Sequence, residues 1–274
     1  MSAVAPFPRT GFWILPAAPV DELVQAVVMA DRAGVDEVWI ADEGVMRDPL
    51  VVLAAAATLT THILLGIGIT TPVLRHPGAL GASLASLDEL SGGRAMLGLG
   101  VGGDLTLRPF GLSAERPVAL MRDAVRVARA VIERQSTQGY EVPTHAMPAR
   151  TVPIHIGSRG EQINRLASRE ADGVFLSGLT LSDVEAPVSW ARSSRQIHIG
   201  LYSSVRFRMH TVDDATSLSG SPSEVAAGLQ RLIEAVHPDT IGLAFVDGDR
   251  ISTMVEQGVA TFAALRALPE IGLP

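Results

Sequence analysis

Apolar positions along this chain alternate between two spacings. Short runs with apolar residues at nearly every position are followed by longer stretches whose apolar residues recur every three to four positions. The runs read as buried strands: Gly11–Leu15, Glu37–Ala41 (EVWIA), Leu64–Thr70, Ala95–Leu99, Pro153–Ile156, Val174–Leu176, Gln196–Val205 and Thr240–Phe245. The periodic stretches read as helices. Asp21–Ala33 ends at Gly34, a natural C-terminal glycine. Asp48-Pro49 opens a second helix, with an acidic N-cap and proline at the first helical position, and His76-Pro77 opens a third. Further helices are expected over Pro117–Arg134, Glu161–Arg169, Leu181–Ala191, Ser223–Val236 and Ile251–Leu265. About eight βα units in one chain predict an α/β fold of the (β/α)8, or TIM-barrel, type, spanning residues 1–274 as a single domain. A doubly wound open sheet is the competitor, but no dinucleotide fingerprint follows the first strand. Gln135–Arg150 and Thr211–Pro222, rich in turn formers, are expected to be irregular.

Composition narrows the chemistry. Hydrophobic residues make up 47% of the 274 positions and charged ones 19%, the balance of a large buried core. A net charge of −7 argues against a nucleic-acid partner. No cysteine is present, which removes thiol nucleophiles and thiolate metal sites and fits a reducing compartment; a cytoplasmic location is expected. All 22 basic residues are arginine, so a lysine Schiff base is excluded. No signal peptide is recognisable, no apolar run is long enough for a membrane span, and the histidines lack metal-ligand spacing, so neither a membrane nor a metal is expected.

In a barrel the chemistry sits at the C-terminal ends of the strands. Asp42 and Glu43 follow the second strand; Gly68, Ile69 and Thr70 close the third; Gly100, Val101 and Gly102 belong to a glycine-rich turn after the fourth. Gly157, Ser158, Arg159 and Gly160 follow the fifth, and Ser177 the sixth. Gly157–Gly160 leads into a helix and reads either as a phosphate site, with backbone N–H groups and an arginine, or as a tight turn. The Gly98–Gly103 stretch either admits a flat ligand close to the backbone or is a flexible connection. Glu43 is expected to cap or to lie in solvent, and His76 to cap its helix.

The stretch LLGIGITTPVLRHPGALGASLASLDELSGGRAMLGLGVGGD, from Leu64 to Asp104, resembles the bacterial luciferase-like flavin and deazaflavin oxidoreductases. It is most similar to the branch that uses the deazaflavin coenzyme F420, such as methylenetetrahydromethanopterin reductase. ADRAGVDEVWIADE, RPFG at Arg108–Gly111, VPIHIGSRGEQINRLASREADGVFLSG and GSPSEVAAGLQRLIEAVHPDTIGL carry the resemblance along most of the chain. It implies a tricyclic cofactor across the strand ends, its phosphate at Gly157–Gly160, and hydride transfer to or from a small organic substrate. It also implies a non-prolyl cis peptide at Gly68–Ile69, with Ile69 behind the ring, and Asp42 near the ring as the expected catalytic residue, contacting the cofactor and handling a proton. FMN with a monooxygenase activity is the alternative, and a non-catalytic flavin-binding barrel a third reading. The family forms homodimers through helices near the second and third strands. Two segments, between Ile132 and Pro153 and after Ala215, are shorter than the family pattern, which implies a more open site.

Overall fold

The computed structural model describes residues 7–143, 145, 148–207, 217–245 and 250–268. Nine strands and nine α-helices are described: β1 (Arg9–Ile14), α1 (Val20–Arg32), β2 (Glu37–Ile40), α2 (Pro49–Ala57), β3 (Leu64–Thr70), α3 (Pro77–Ser91) and β4 (Ala95–Gly100). They continue with α4 (Asp104–Leu107), a 3-10 turn (Arg108–Phe110), α5 (Pro117–Glu133), β5 (Ile154–Gly157), α6 (Glu161–Glu170), β6 (Gly173–Ser177) and α7 (Glu185–Ala191). The last are β7 (His198–Arg206), β8 (Ser217–Ser219), α8 (Pro222–Val236), β9 (Thr240–Phe245) and α9 (Ile251–Ala267). Eight strands pair in parallel as a ring, β1 to β7 in order and then β9, which closes on β1. That closure excludes the open doubly wound sheet. The three-residue β8 hangs on the end of β7.

Local chemistry explains the element ends. Asp48 caps α2 by accepting from the Leu50 and Val51 amides, and His76 caps α3 through the Gly78 amide. Ser221 and Glu224 form a reciprocal capping box on α8. The SGGR segment is structural: Gly92 terminates α3 in the left-handed region, and Arg94 donates to Thr60 Oγ1 and to the Ala57, Thr60 and Ile63 carbonyls. The helix expected over Leu181–Ala191 is shorter, because Asp183 turns back to accept from the Thr180 amide and hydroxyl before α7 begins. The stretch 135–150 shows, in its described part, only a bridge between Thr137 and Tyr140. Thr211 to Thr216 lies outside the described residues; the rest of the shortened connection, Ser217–Ser219, expected to be irregular, forms β8.

Two apolar layers form. The outer one packs outward-facing strand residues such as Val38, Ile40, Leu65, Ile67 and Leu97 against the helices. The lumen holds Trp39, Met96, Phe175 and Tyr202, with Phe175 and Tyr202 stacked at 4.3 Å between centroids. These few large side chains need glycine opposite them. Gly66 and Gly68 face the Trp39 ring, and a Cβ on Gly68 would lie 2.9 Å from Trp39 Cβ. At the lumen floor, Glu37 accepts from Trp39 Nε1 at 2.8 Å, from Thr240 Oγ1 at 3.2 Å and from the Tyr202 hydroxyl. Burial, and then the Glu37 carboxylate, push the Tyr202 pKa well up, so it stays a neutral donor. No helix of the described residues is long and apolar enough to cross a membrane.

Candidate active site

The C-terminal ends of β2 to β6 surround a cleft of about 530 Å³. Ile69, Val101 and Phe175 give it an apolar floor. The Gly68–Ile69 bond is cis, and the β3–β4 register slips between Ile67 and Thr70. Trp13 Nε1 donates to the Gly68 carbonyl at 2.5 Å. Ile69 lies in a bed of glycine: a Cβ on Gly98 would sit 2.9 Å from Ile69 Cγ2, and one on Gly157 2.6 Å from its Cδ1. Gly100 makes the same allowance. Gly68 and Gly100 therefore lie beneath the cleft and shape it without lining it. This corrects the ligand-cradle reading of the Gly98–Gly103 turn: Gly98 and Gly100 make room for the protein's own Ile69 and Trp39. Gly102 and Gly103 do line the cleft.

Polar groups occupy two sides. On one side Asp42, only 4% exposed, accepts from Thr70 Oγ1 at 2.5 Å and from Arg75 Nε at 2.6 Å on one oxygen. Its other oxygen accepts from Arg75 Nη2 at 3.3 Å, and Arg75 also reaches Asp48 at 2.9 Å. The hydrogen bond to Asp42 raises the Arg75 pKa further, so the guanidinium keeps its charge. With both oxygens engaged, Asp42 ties the ends of β2 and β3 together. Glu43 lines the cleft instead of standing in solvent or capping: one oxygen accepts from Thr106 Oγ1 at 2.8 Å, and the other has no partner among the described residues.

On the opposite side lie Ser158, Arg159 and Ser177. Ser158 Oγ accepts from the Gly160 amide at 3.0 Å, and Arg159 reaches the Gly178 carbonyl at 3.4 Å. Gly160 is the N-cap of α6 and supplies no capping side chain, so the first amides of that helix have no side-chain acceptor. Asn164, fully buried, donates to the Ser158 and Gly160 carbonyls at 3.2 and 3.1 Å. Gly160 stands behind the lining with Asn164. An apolar floor beside an uncapped helix start with an arginine suits a flat aromatic group bearing an anionic tail.

Nine of the twelve residues expected from the sequence line this cleft: Asp42, Ile69, Thr70, Val101, Gly102, Gly157, Ser158, Arg159 and Ser177. Sequence reasoning missed Phe175, Thr71 and the α4 residues Asp104, Leu105 and Thr106. Phe175 was recoverable, since it precedes Ser177 by two positions and shares its face of β6. A four-residue helix such as α4 is too short to leave a periodic signal. Among the described residues, no group of three or more His, Asp or Glu could hold a metal ion.

Comparison with known proteins agrees with this geometry. The chain is 33% identical over 184 residues to 5,10-methylenetetrahydromethanopterin reductase of Methanolobus tindarius, covering 65% of this chain and 56% of that protein. It is 33% identical over 175 residues to the F420-dependent glucose-6-phosphate dehydrogenase of Beutenbergia cavernae, covering 57% of this chain and 52% of that one. The chain thus spans little more than half the length of these curated relatives. The solved structure of coenzyme F420-dependent tetrahydromethanopterin reductase from Methanopyrus kandleri superposes with a TM-score of 0.79 at 20% identity, over 94% of this chain and all of that one. The family model described as luciferase-like monooxygenase matches residues 3–196, most of the barrel from β1 to α7, and the chain belongs to that family.

Proposed function

We propose that the protein is an F420-dependent oxidoreductase that transfers a hydride between the deazaflavin and a small organic substrate. One observation carries the reading: the Ile69-backed apolar floor runs into the uncapped start of α6 beside Arg159, in a chain similar to F420-dependent enzymes. When bound, the deazaflavin supplies the carbon that accepts or gives the hydride. Ile69, supported by Gly98, Gly100 and Gly157, backs the ring and leaves one face for substrate. Val101, Gly102 and Phe175 complete the floor and exclude water. Ser158, Arg159 and the first amides of α6, which the Gly160 N-cap leaves uncapped, hold the phosphate, Gly157 lets it approach, and Ser177 binds beside it. Asp42 acts through Thr70, which it orients at the polar edge of the ring. Glu43, whose second oxygen is free of bonds among the described residues, is the group placed to hold or move the substrate proton. The working unit in this reading is the single barrel of residues 1–274. It is cytoplasmic and a homodimer, with Val51 and Leu59, the exposed apolar residues around α2, at the contact.

The family's description as monooxygenases favours a second reading, in which the same floor serves reduced FMN. Titration of the purified protein with oxidised F420 and separately with FMN, followed by fluorescence, distinguishes them. Micromolar F420 binding with weak FMN binding is expected. Tight FMN binding with weak F420 binding overturns the deazaflavin reading, and binding of neither favours a barrel without cofactor chemistry.

A further inference from the structure

The cleft has a wall that the proposed cofactor contacts leave unused. Above β2 and β4 two loops meet, residues 43–47 and 101–112. Glu43 accepts from Thr106 at 2.8 Å, which ties them at their base. Gly44, at φ +67°, lies against the Phe110 ring; a Cβ there would come within 2.7 Å of the ring and 3.2 Å of Leu74 Cδ1. The two loops therefore form one surface, and its outward side chains include five apolar ones beside Arg47, Asp104 and Arg108. Leu105 is 80% exposed, Val45 64% and Phe110 47%, and Met46 and Leu112 are exposed beside them. Isolated exposed apolar residues are ordinary, but a group on two joined loops marks a binding surface. Leu105, Glu43 and Thr106 also line the cleft, so the surface continues into it without a break.

We propose that this wall is the substrate subsite, and that the substrate presents to it an uncharged apolar body, an aliphatic or alicyclic chain, lying against Leu105, Phe110 and Val45. The proposal rests on the redox reading of the cleft given above. Two features favour this class. The anion-binding end, at Ser158 and Arg159, lies on the β5–β6 side and is taken by the cofactor phosphate in that reading. On the face of the wall that lines the cleft the carboxylates of Glu43 and Asp104 flank Leu105, while the exposed Arg47 and Arg108 of the same loops stand outside that lining, so a phosphate or carboxylate entering the cleft there would meet like charge. The continuity with the cleft favours substrate over a second copy of the chain as the occupant.

The test uses a series of straight-chain 2-ketones from butanone to decanone and length-matched ketones ending in a carboxylate. Binding is read by isothermal titration, on protein alone and on protein loaded with cofactor, for the native chain and for Leu105→Ser and Phe110→Ser. Both substitutions fall on exposed side chains, and circular dichroism confirms folding. Affinity is expected to rise about three- to fourfold per methylene, the worth of one buried CH2. The carboxylates are expected to bind at least tenfold more weakly than uncharged ketones of equal length, and both substitutions to flatten the length dependence. Affinity independent of length, tighter binding of the carboxylates, or a slope unchanged in Leu105→Ser each overturns the proposal. A dimer that becomes monomeric in either variant by sedimentation also overturns it, since a second copy then covers the wall. The parallel F420 titration separates the two failures. Cofactor binding without length dependence removes the wall alone; length dependence lost in Leu105→Ser, without binding of either cofactor, removes the cofactor reading alone.

Discussion

Asn164 offers a sharp perturbation of the anion-binding end. Its side chain is fully buried behind the Ser158–Gly160 turn, and its amide nitrogen donates to two carbonyls of that turn at 3.2 and 3.1 Å. Asn164→Leu keeps the number and branching of side-chain heavy atoms and removes both donors. Each neutral hydrogen bond contributes about 1 kcal/mol net, so the turn loses about 2 kcal/mol of support. If the turn holds the phosphate of the cofactor, that loss appears in the binding of the tail and not of the ring. At about 1.4 kcal/mol per tenfold, F420 affinity should fall ~10- to 30-fold. The deazaflavin ring with its ribityl chain and no phosphate should bind the variant within about twofold of the native protein, the margin of ~0.4 kcal/mol. Both ligands are fluorescent, and parallel titrations give the ratio directly. The melting temperature falls as well, so the ratio of the two affinities carries the test. Equal losses for both ligands, or no loss for either, would refute the assignment of the turn to the phosphate.

Three further perturbations follow from the same geometry. Burial, and next the neighbouring His198, hold the His155 pKa down at about 3, while the unfolded chain protonates near 6.5. The unfolded state therefore binds the extra proton, and the His155 contribution, complete above pH 6.5, declines by about 1.4 kcal/mol per pH unit below it until about pH 3. Urea unfolding at pH 7 and 5.5 should show a loss about 1 kcal/mol smaller in His155→Leu than in the native chain, and equal losses would contradict this. Gly44→Ala forces a side chain into the left-handed region and against the Phe110 ring, so it should destabilise by about 1–2 kcal/mol in thermal unfolding; a variant as stable as the native chain would show the loops are not joined there. Trp39→Leu empties part of the lumen and takes a donor from buried Glu37, so a loss of about 3–5 kcal/mol is expected by denaturant unfolding, and a loss below 1 kcal/mol would mean that the ring does not fill the lumen.

Much of the barrel was legible because each strand and helix announces itself locally. Leu64–Thr70 and Thr240–Phe245 occupy the spans their apolar runs predict, and Asp48-Pro49 and His76-Pro77 start helices as their cap chemistry requires. The glycines show where local reading stops. Gly98 and Gly100 looked like a bed for a ligand, yet what presses on them is Ile69 from the end of β3 and, at Gly98, Trp39 from β2. Such cross-strand contacts depend on register and leave no trace in linear spacing. The same limit hid Glu43, whose partner Thr106 is 63 residues away on a helix of one turn. Asp42 was legible as a site residue, but its engagement by Arg75 and Thr70 emerges only once β2 and β3 lie side by side.

The account turns on what the cleft at the strand ends holds, and a crystal structure of the protein grown with oxidised F420 tests this most directly. The account predicts the deazaflavin ring against Ile69, its phosphate within hydrogen-bond reach of Ser158, Arg159 and the first amides of α6 after Gly160, and its free face towards Glu43 and Leu105. A ring bound away from Ile69, or a phosphate held by residues other than this turn, would contradict it.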